Sequence, residues 1–230
     1  IYSWGKAEEI VGEAIAGRSS QLLVASKVRM TMGKGANEAG LSRHHILEQC
    51  HASLKRLKRE HIDLYFCHEW DGVTPADEVM EALDSLVRAG KVRYVGCSNF
   101  SGWHIMRSLM AAERHGFQRF VCQQIHYTLE AREAEYELIP IALDQGVGVA
   151  LDLVAVHVGA GVAFVLVAHQ VLLGPGCGAQ ELPLVAGQVT GPAAAAQLRR
   201  LHLLDDTRGV GVDQDLVERL VAADRDVLLD

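Results

Sequence analysis

The stretch Ile62–His68 (IDLYFCH) decides the fold class, because it is an apolar run of strand length that ends in a histidine. Three other stretches repeat the pattern: Leu22–Lys27 ends in a lysine, and Arg93–Asn99 and Phe120–Gln124 end in amides. Polar groups at the carboxyl ends of successive parallel strands are how a β/α barrel builds an active site. The four stretches therefore predict a barrel whose polar groups converge on one mouth.

Helix signals separate these strands up to about residue 150. The predicted helices are Lys6–Ala16, one capped by Ser42, one with Thr74 as N-cap and Pro75 at its first position, one from Ser101 to Gly116, and Glu133–Gln145. A fifth strand is predicted over Val147–Leu151. Strands alternating with helices indicate βαβ units and a parallel sheet. An open doubly wound sheet shares this signal, but the glycine-rich turn of its dinucleotide fingerprint is absent, which favours a (β/α)8 TIM-type barrel.

The sequence changes character after residue 150. From Leu151 to Asp230 there is no Lys, Ile, Met, Asn, Ser, Trp or Tyr. We therefore expect two parts: a partial barrel over 1–150, and a tail over 151–230 that is divergent or encoded in a shifted or opposite reading frame. Leu153–Leu173 is long and uncharged enough to span a membrane, but its histidines and the lack of a flanking basic cluster favour a buried or mis-specified segment.

Composition narrows the classes of function. The net charge is −7 and the basic residues are interleaved with acids, so we expect no nucleic-acid partner. The five cysteines lie far apart without CxxC or Cys/His metal spacing, which favours a reduced cytoplasmic protein with no metal site. The chain begins at Ile1 without a signal-like segment, so we expect a fragment or a processed chain. Its oligomeric state stays open.

Lys27, His68, Ser98, Asn99 and Gln124 are the candidate functional residues, since a barrel brings strand ends to one mouth. A cation, an imidazole, a hydroxyl and two amides suit polarising a carbonyl and holding a nicotinamide carboxamide. Each residue also has a simpler interpretation: a lysine stem that reaches solvent, a structural histidine, and polar residues that start turns. The joint pattern is more informative than any single member.

Tyr2 completes a possible proton donor. A phenol has a pKa near 10, which is too high to protonate an alkoxide efficiently at neutral pH. A nearby ammonium favours the phenolate and lowers that pKa, and Lys27 could supply it. The alternative is that Tyr2 belongs to a frayed chain end.

Several segments in this order resemble the aldo-keto reductase family. They are Tyr2–Gly5 with Glu8–Gly12, Ala25–Val28, Asp63–His68, Gly90–Phe100 (GKVRYVGCSNF), and Val121–Gln124 followed by Tyr127–Leu129. The resemblance covers about residues 1–150. The long loop after Lys27 is similar to the branch that includes bacterial general-stress reductases and potassium-channel β subunits.

This resemblance implies hydride transfer from NADPH, with NADH not excluded, to a small aldehyde or ketone. Tyr2 would be the general acid, Lys27 the partner that lowers its pKa, and His68 the group that orients the substrate carbonyl. Ser98, Asn99 and Gln124 would bind the nicotinamide carboxamide. The resemblance also implies a substrate pocket lined by Trp4 and Trp70.

The resemblance implies an aspartate and two barrel strands before Ile1. After Val149 the family has an aromatic residue and Ser-Pro-Leu, whereas this chain has Ala150-Leu151-Asp152-Leu153-Val154. The alternative is therefore a non-catalytic nucleotide-binding barrel, such as a regulatory subunit, or an inactive fragment of a reductase. A Schiff-base lyase using Lys27 is a third possibility, which the Ser98-Asn99 context disfavours.

Overall fold

The structure, a computed structural model, describes residues 2–17, 22–127 and 131–152 and four short strands beyond them. The α-helices are α1 Lys6–Ala14, α2 Arg43–Leu57, α3 Ala76–Arg88, α4 Gly102–His115 and α5 Leu138–Gln145, with 3-10 turns at Tyr2–Gly5 and Glu133–Glu135. The strands are β1 Leu23–Val28, β2 Ile62–Cys67, β3 Val92–Ser98, β4 Phe120–His126, β5 Gly148–Asp152, β6 Ala155–Val158, β7 Gly161–Phe164, β8 Val167–Ala168 and β9 Leu184–Val185.

The first five strands form a parallel sheet in the order β5-β4-β3-β2-β1. Each strand is added on the same side of the one before it, so right-handed crossovers place the helices between them on one face. A doubly wound sheet needs a reversal of strand order, which is absent from β1 to β5. This pattern confirms the predicted α/β fold and is that of part of a β/α barrel. Beyond it, β9 pairs with β1 and β8 with β9, while β6 and β7 form a separate antiparallel pair.

Local signals explain two of the helix ends. Ser42 caps α2 as predicted, since its side chain accepts a hydrogen bond from the His45 amide at 3.3 Å. The apolar stripe on α2, which is Ile46, Cys50, Leu54 and Leu57, is buried. α4 ends at Gly116 in the left-handed conformation, with φ of 68°.

Two helix predictions need correction. Pro75, not Thr74, is the N-cap of α3, and the Thr74 hydroxyl instead donates a hydrogen bond to Asp71. The predicted helix over 133–145 is a 3-10 turn followed by α5, which begins only two residues before Pro140. A continuous helix would place the Pro140 ring against the carbonyl of the preceding turn, so proline is tolerated only within the first turn.

The two faces of the sheet pack differently. One face buries Val24, Tyr65 and Val95 against the helices in the main core. The other face buries a smaller cluster of Phe66, Cys122 and Ala150, with Ala25 and Leu64 packed against it. Gly96 is required there, since a Cβ at this position would lie 2.6 Å from the Cys122 carbonyl oxygen and 2.8 Å from the Phe66 ring. The second face is the one that a barrel turns inward.

Four cysteines, at 50, 67, 97 and 122, are free and buried, which agrees with a structural role. Burial raises the pKa of Cys50 and Cys122 to about 12, so these thiols stay protonated. Cys177 lies outside the described residues. Among the described residues, no helix is long and apolar enough to cross a membrane. Most of the apolar stretch 153–173 lies outside them as well.

Candidate active site

The strand register places the candidate residues on the inward face of the sheet. Lys27 is aligned with Phe66 of the inward cluster, and side chains alternate along a strand. Cys67 is aligned with Cys97, so His68 and Ser98 follow at the same level, and Ser98 is aligned with Gln124. The His68 amide donates to the Val28 carbonyl at 2.9 Å, so His68 continues the β1–β2 ladder. His68, Ser98 and Gln124 therefore form one row, a step nearer the mouth than Lys27.

Lys27 and His68 line a common cleft with Arg29 and residues of α1 and α2. Burial, assisted by the positive charges of Lys27 and Arg29, lowers the pKa of His68 from 6.5 to about 3. His68 is therefore a neutral imidazole at physiological pH. A neutral imidazole retains one N–H and can donate a hydrogen bond to a carbonyl oxygen without carrying charge.

Asn99 connects the ends of three strands. Its side-chain amide donates to the His68 carbonyl and to Ser98 Oγ, both at 3.2 Å. Its backbone amide donates to the Gln124 carbonyl at 3.4 Å. Asn99 has φ of 53°, a left-handed conformation that asparagine tolerates better than most residues. This geometry keeps an amide side chain at the mouth, beside His68.

Gln123 and Gln124 are adjacent but face opposite sides of the sheet. The Gln123 side chain donates to the Leu138 carbonyl of α5 at 2.5 Å, on the helix side. Gln124 lies in the row of Ser98, and both side chains are buried. Ser98 and Gln124 thus lie on the inward face of the sheet rather than on the face that packs against the helices.

The aromatic candidates lie in two different places. Trp4 is exposed on the turn Tyr2–Gly5, and the Tyr2 side chain is outside the described residues. Trp70, two residues after His68, stacks on His104 of α4 with ring centroids 4.5 Å apart. It also meets Phe100 edge-on at 5.6 Å. Trp70 therefore belongs to an aromatic group at the start of α4, next to the mouth.

Sequence reasoning missed Asp71, which joins two loops at the mouth. Its carboxylate accepts hydrogen bonds from the Leu41 amide at 2.7 Å and from the Thr74 hydroxyl at 2.6 Å, as well as from the amides of Val73 and Thr74. An Asp three residues before a Thr is a local signal for the turn, but nothing local indicates the contact with Leu41, 30 residues away.

Arg29 was also missed. It follows β1 with φ of 134°, a conformation that is unusual for a residue other than glycine, and Nη1 pairs with Glu69 Oε2 at 3.2 Å. Strained backbone of this kind concentrates at functional sites. In the sequence, Arg29 is marked only by its position two residues after Lys27. That position predicts where Arg29 lies but not what its side chain does.

Comparison with known proteins identifies the family of this chain. The sequence profile of the aldo/keto reductase family matches residues 1–161, and the chain belongs to that family. The uncharacterized oxidoreductase YrpG of Bacillus subtilis (strain 168) is 41% identical over 160 residues, which cover 65% of this chain and 49% of the relative.

Two further relatives carry different names. The versiconal hemiacetal acetate reductase of Aspergillus parasiticus is 37% identical over 64% of this chain and 48% of its own length. A probable voltage-gated potassium channel subunit beta of Arabidopsis thaliana is 36% identical over 64% of this chain and 46% of its own length. The chain thus spans about half the length of the curated relatives it matches.

Proposed function

We propose that this protein is an oxidoreductase that reduces aldehydes or ketones by hydride transfer from a nicotinamide cofactor. The observation that carries the proposal is the row of His68, Ser98 and Gln124 one step above Lys27, with His68 held neutral in the cleft that contains Lys27. Membership of the aldo/keto reductase family supports the same reaction.

The donors and acceptors at the mouth fit a nicotinamide carboxamide. This group presents one carbonyl acceptor and one NH2 donor. Matching donors and acceptors are available from the Ser98 hydroxyl and from the side-chain amides of Asn99 and Gln124. When bound there, the cofactor supplies the hydride. Holding the carboxamide in one orientation selects the ring face that is presented to the substrate. We propose NADP, with NAD as the alternative that a binding comparison distinguishes.

The proton is assigned to Tyr2. Lys27, whose cationic form favours the phenolate, makes the phenol acidic enough to protonate the developing alkoxide near neutral pH. His68 donates a hydrogen bond from its neutral ring to the substrate carbonyl, which orients the carbonyl without competing for the proton. Trp4 and Trp70 are assigned to the substrate pocket, and the substrate is a small carbonyl compound.

We also propose a boundary near residue 150. All assigned site residues lie within 1–150, and residues 151–230 are proposed to be a divergent or out-of-frame tail. The free cysteines of the described part suit the reducing cytoplasm, which is the proposed location.

The direct test is loss of NADPH absorbance at 340 nm with an aromatic aldehyde. Activity that is abolished by Tyr2→Phe, while the fold and cofactor affinity are retained, supports the proposal. Absence of turnover in a folded protein that binds NADPH contradicts it.

A second candidate is a non-catalytic nucleotide-binding barrel. The similarity to the potassium channel subunit beta of Arabidopsis thaliana favours it. Quenching of NADPH fluorescence without turnover, unchanged by Tyr2→Phe, is the result that this candidate predicts.

A further inference from the structure

Glu8 on α1 and Arg56 on α2 form an ion pair in the wall of the cleft that contains Lys27 and His68. Glu8 Oε2 lies 2.6 Å from Arg56 Nε, and the side chains are only 17% and 20% exposed. Glu8 also accepts a hydrogen bond from the Ser26 hydroxyl, and Arg56 donates to Ser53 Oγ at 3.2 Å. A pair so shielded is less screened by water than an exposed one.

This ion pair contacts both segments that carry the proposed acid and its partner. Ser26 immediately precedes Lys27 in β1. Gly5 ends the turn that begins at Tyr2, and a Cβ on Gly5 would lie 2.6 Å from Arg56 Cδ and Nε, so Arg56 packs directly on the Gly5 backbone. The turn of Tyr2, the end of β1 and α2 are therefore held together at one point.

The two helices meet closely enough to transmit this restraint. A Cβ on Gly12 of α1 would lie 2.6 Å from the Leu57 carbonyl oxygen of α2, so the helix backbones are in direct contact. Packing of this kind resists small shifts of one helix against the other, because protein interiors are packed as densely as organic crystals. The register between α1 and α2 is thus set by backbone contact at Gly12 and by the ion pair at Glu8.

We propose that Glu8 and Arg56 are positioning residues that hold the turn Tyr2–Gly5, which carries the proposed acid, at a fixed place beside β1, which carries Lys27. The inference rests on the proposed function, in which the Lys27 ammonium makes the Tyr2 phenol more acidic. The interaction of two charges falls with their separation, so a small displacement weakens it. Since the two charges of the pair oppose each other, the pair restrains geometry while adding no net charge beside Lys27.

The charged and titratable groups around Lys27 come from four parts of the fold. They are Glu8 on α1, Arg29 after β1, His45 and Arg56 on α2, and His68 after β2. Arg29 is paired with Glu69. Burial lowers the pKa of His45 and of His68, so both rings are neutral at physiological pH. Variants that conserve the summed charge of Glu8 and Arg56 therefore separate geometry from electrostatics.

Two such variants test the inference. Arg56→Lys keeps the positive charge but loses the Nε contact, and the double variant Glu8→Gln with Arg56→Gln removes both charges together. The control is the double variant Glu13→Gln with Lys58→Gln, which removes an exposed ion pair of 3.7 Å between α1 and the end of α2.

The readout is the pKa of Tyr2, followed by NMR in the full chain with 13C-labelled tyrosine and assigned through Tyr2→Phe. We expect both test variants to raise this pKa by about one unit, since the phenolate loses part of its cationic stabilisation. Activity with an aldehyde is expected to show about a tenfold loss in kcat, with KM for the aldehyde unchanged, because a displaced catalytic group slows chemistry more than binding. The control should change neither quantity.

The possible results distinguish the positioning role of Glu8 and Arg56 from the proposed reductase function. An unchanged Tyr2 pKa in folded Arg56→Lys protein overturns the inference, even if the wild type reduces aldehydes. A raised pKa without any reductase activity overturns the proposed function and leaves the inference standing. Equal shifts in the control, or unfolding of both test variants in circular dichroism, assign the pair to general helix docking and overturn the inference.

Discussion

The parallel sheet has an amino edge, where its strands begin, and a carboxyl edge, where they end. The two edges use polar residues in opposite ways. At the amino edge, the buried Asp63 carboxylate is surrounded by partners: Arg59 at 2.9 Å, the Val24 amide at 2.9 Å and Arg93 at 3.4 Å. At the carboxyl edge, Lys27, His68, Ser98 and Gln124 gather on the inward face beside a cleft. In barrels the amino face contributes stability and the carboxyl face chemistry. Substitutions at the two edges should therefore affect different measurements.

The largest expected effect is at the carboxyl edge. We expect Lys27→Met to lower kcat/KM for aldehyde reduction on the order of 1,000-fold, because the proposed acid loses the cation that makes it effective. The melting temperature should change little. Lys34→Met, an exposed lysine in the following loop, is the matched control and should retain full activity. Equal activity of the two variants would remove Lys27 from the mechanism.

The next effect is at the amino edge. Asp63→Asn removes the carboxylate charge that lies 2.9 Å from the Arg59 guanidinium, whose side chain is only 7% exposed. We expect the free energy of unfolding in urea to fall by about 3 kcal/mol, the usual cost of breaking a buried pair. Aldehyde reduction below the melting temperature should persist. Asp77→Asn removes exposed contacts with Arg114 and His115 and is the control, for which little change is expected. Similar losses in the two variants would contradict the contrast between the edges.

A smaller effect is expected at Asp71, in the loops at the mouth. Burial alone would raise its pKa, but hydrogen bonds from Thr74, Leu41 and Val73 outweigh burial and lower it. The stability contributed by Asp71 is therefore present above the ordinary pKa of 3.8 and is lost as the pH falls through the lower folded value. Asp71→Asn should lower the unfolding free energy by about 1–2 kcal/mol at neutral pH. The variant should also lose less stability than the wild type as the pH falls below the ordinary pKa of 3.8. Parallel stability curves would refute this assignment.

The smallest expected effect concerns His68, whose NMR resonances should not change with pH near neutrality. Because the pKa of His68 is lowered to about 3, its ring resonances should not titrate between roughly pH 5 and 8. Protonation of His68 would be favoured in the unfolded chain below 6.5, so its contribution to stability is lost as the pH falls from 6.5 toward 3. A midpoint near 6.5 in the NMR titration of His68 would place the ring in solvent and weaken its proposed role.

The sequence predicts the strands well because they are short apolar runs bounded by turns. β2 begins at Ile62 as predicted and ends one residue before His68, and the other four strands differ from the predicted stretches by one or two residues at their ends. The prediction of one continuous helix over 133–145 was wrong, because the apolar pattern of a helix does not show the steric effect of Pro140 on the preceding turn.

The gathering of Lys27, His68, Ser98 and Gln124 follows from strand ends alone, since register in a parallel sheet aligns them. The ion pair of Glu8 and Arg56 could not be predicted, because its partners are 48 residues apart and neither has a local signal. Contacts between helices depend on packing, which a single sequence does not specify.

The most direct test of the account compares two adjacent glutamines on opposite faces. NADPH is titrated into 15N-labelled protein, and the side-chain amide resonances of Gln123, Gln124 and Asn99 are followed. The account predicts saturable shifts for Gln124 and Asn99 at the mouth and none for Gln123, which is bound to Leu138 on the helix side. Saturable binding that leaves Gln124 and Asn99 unshifted, or that shifts Gln123 instead, would contradict it.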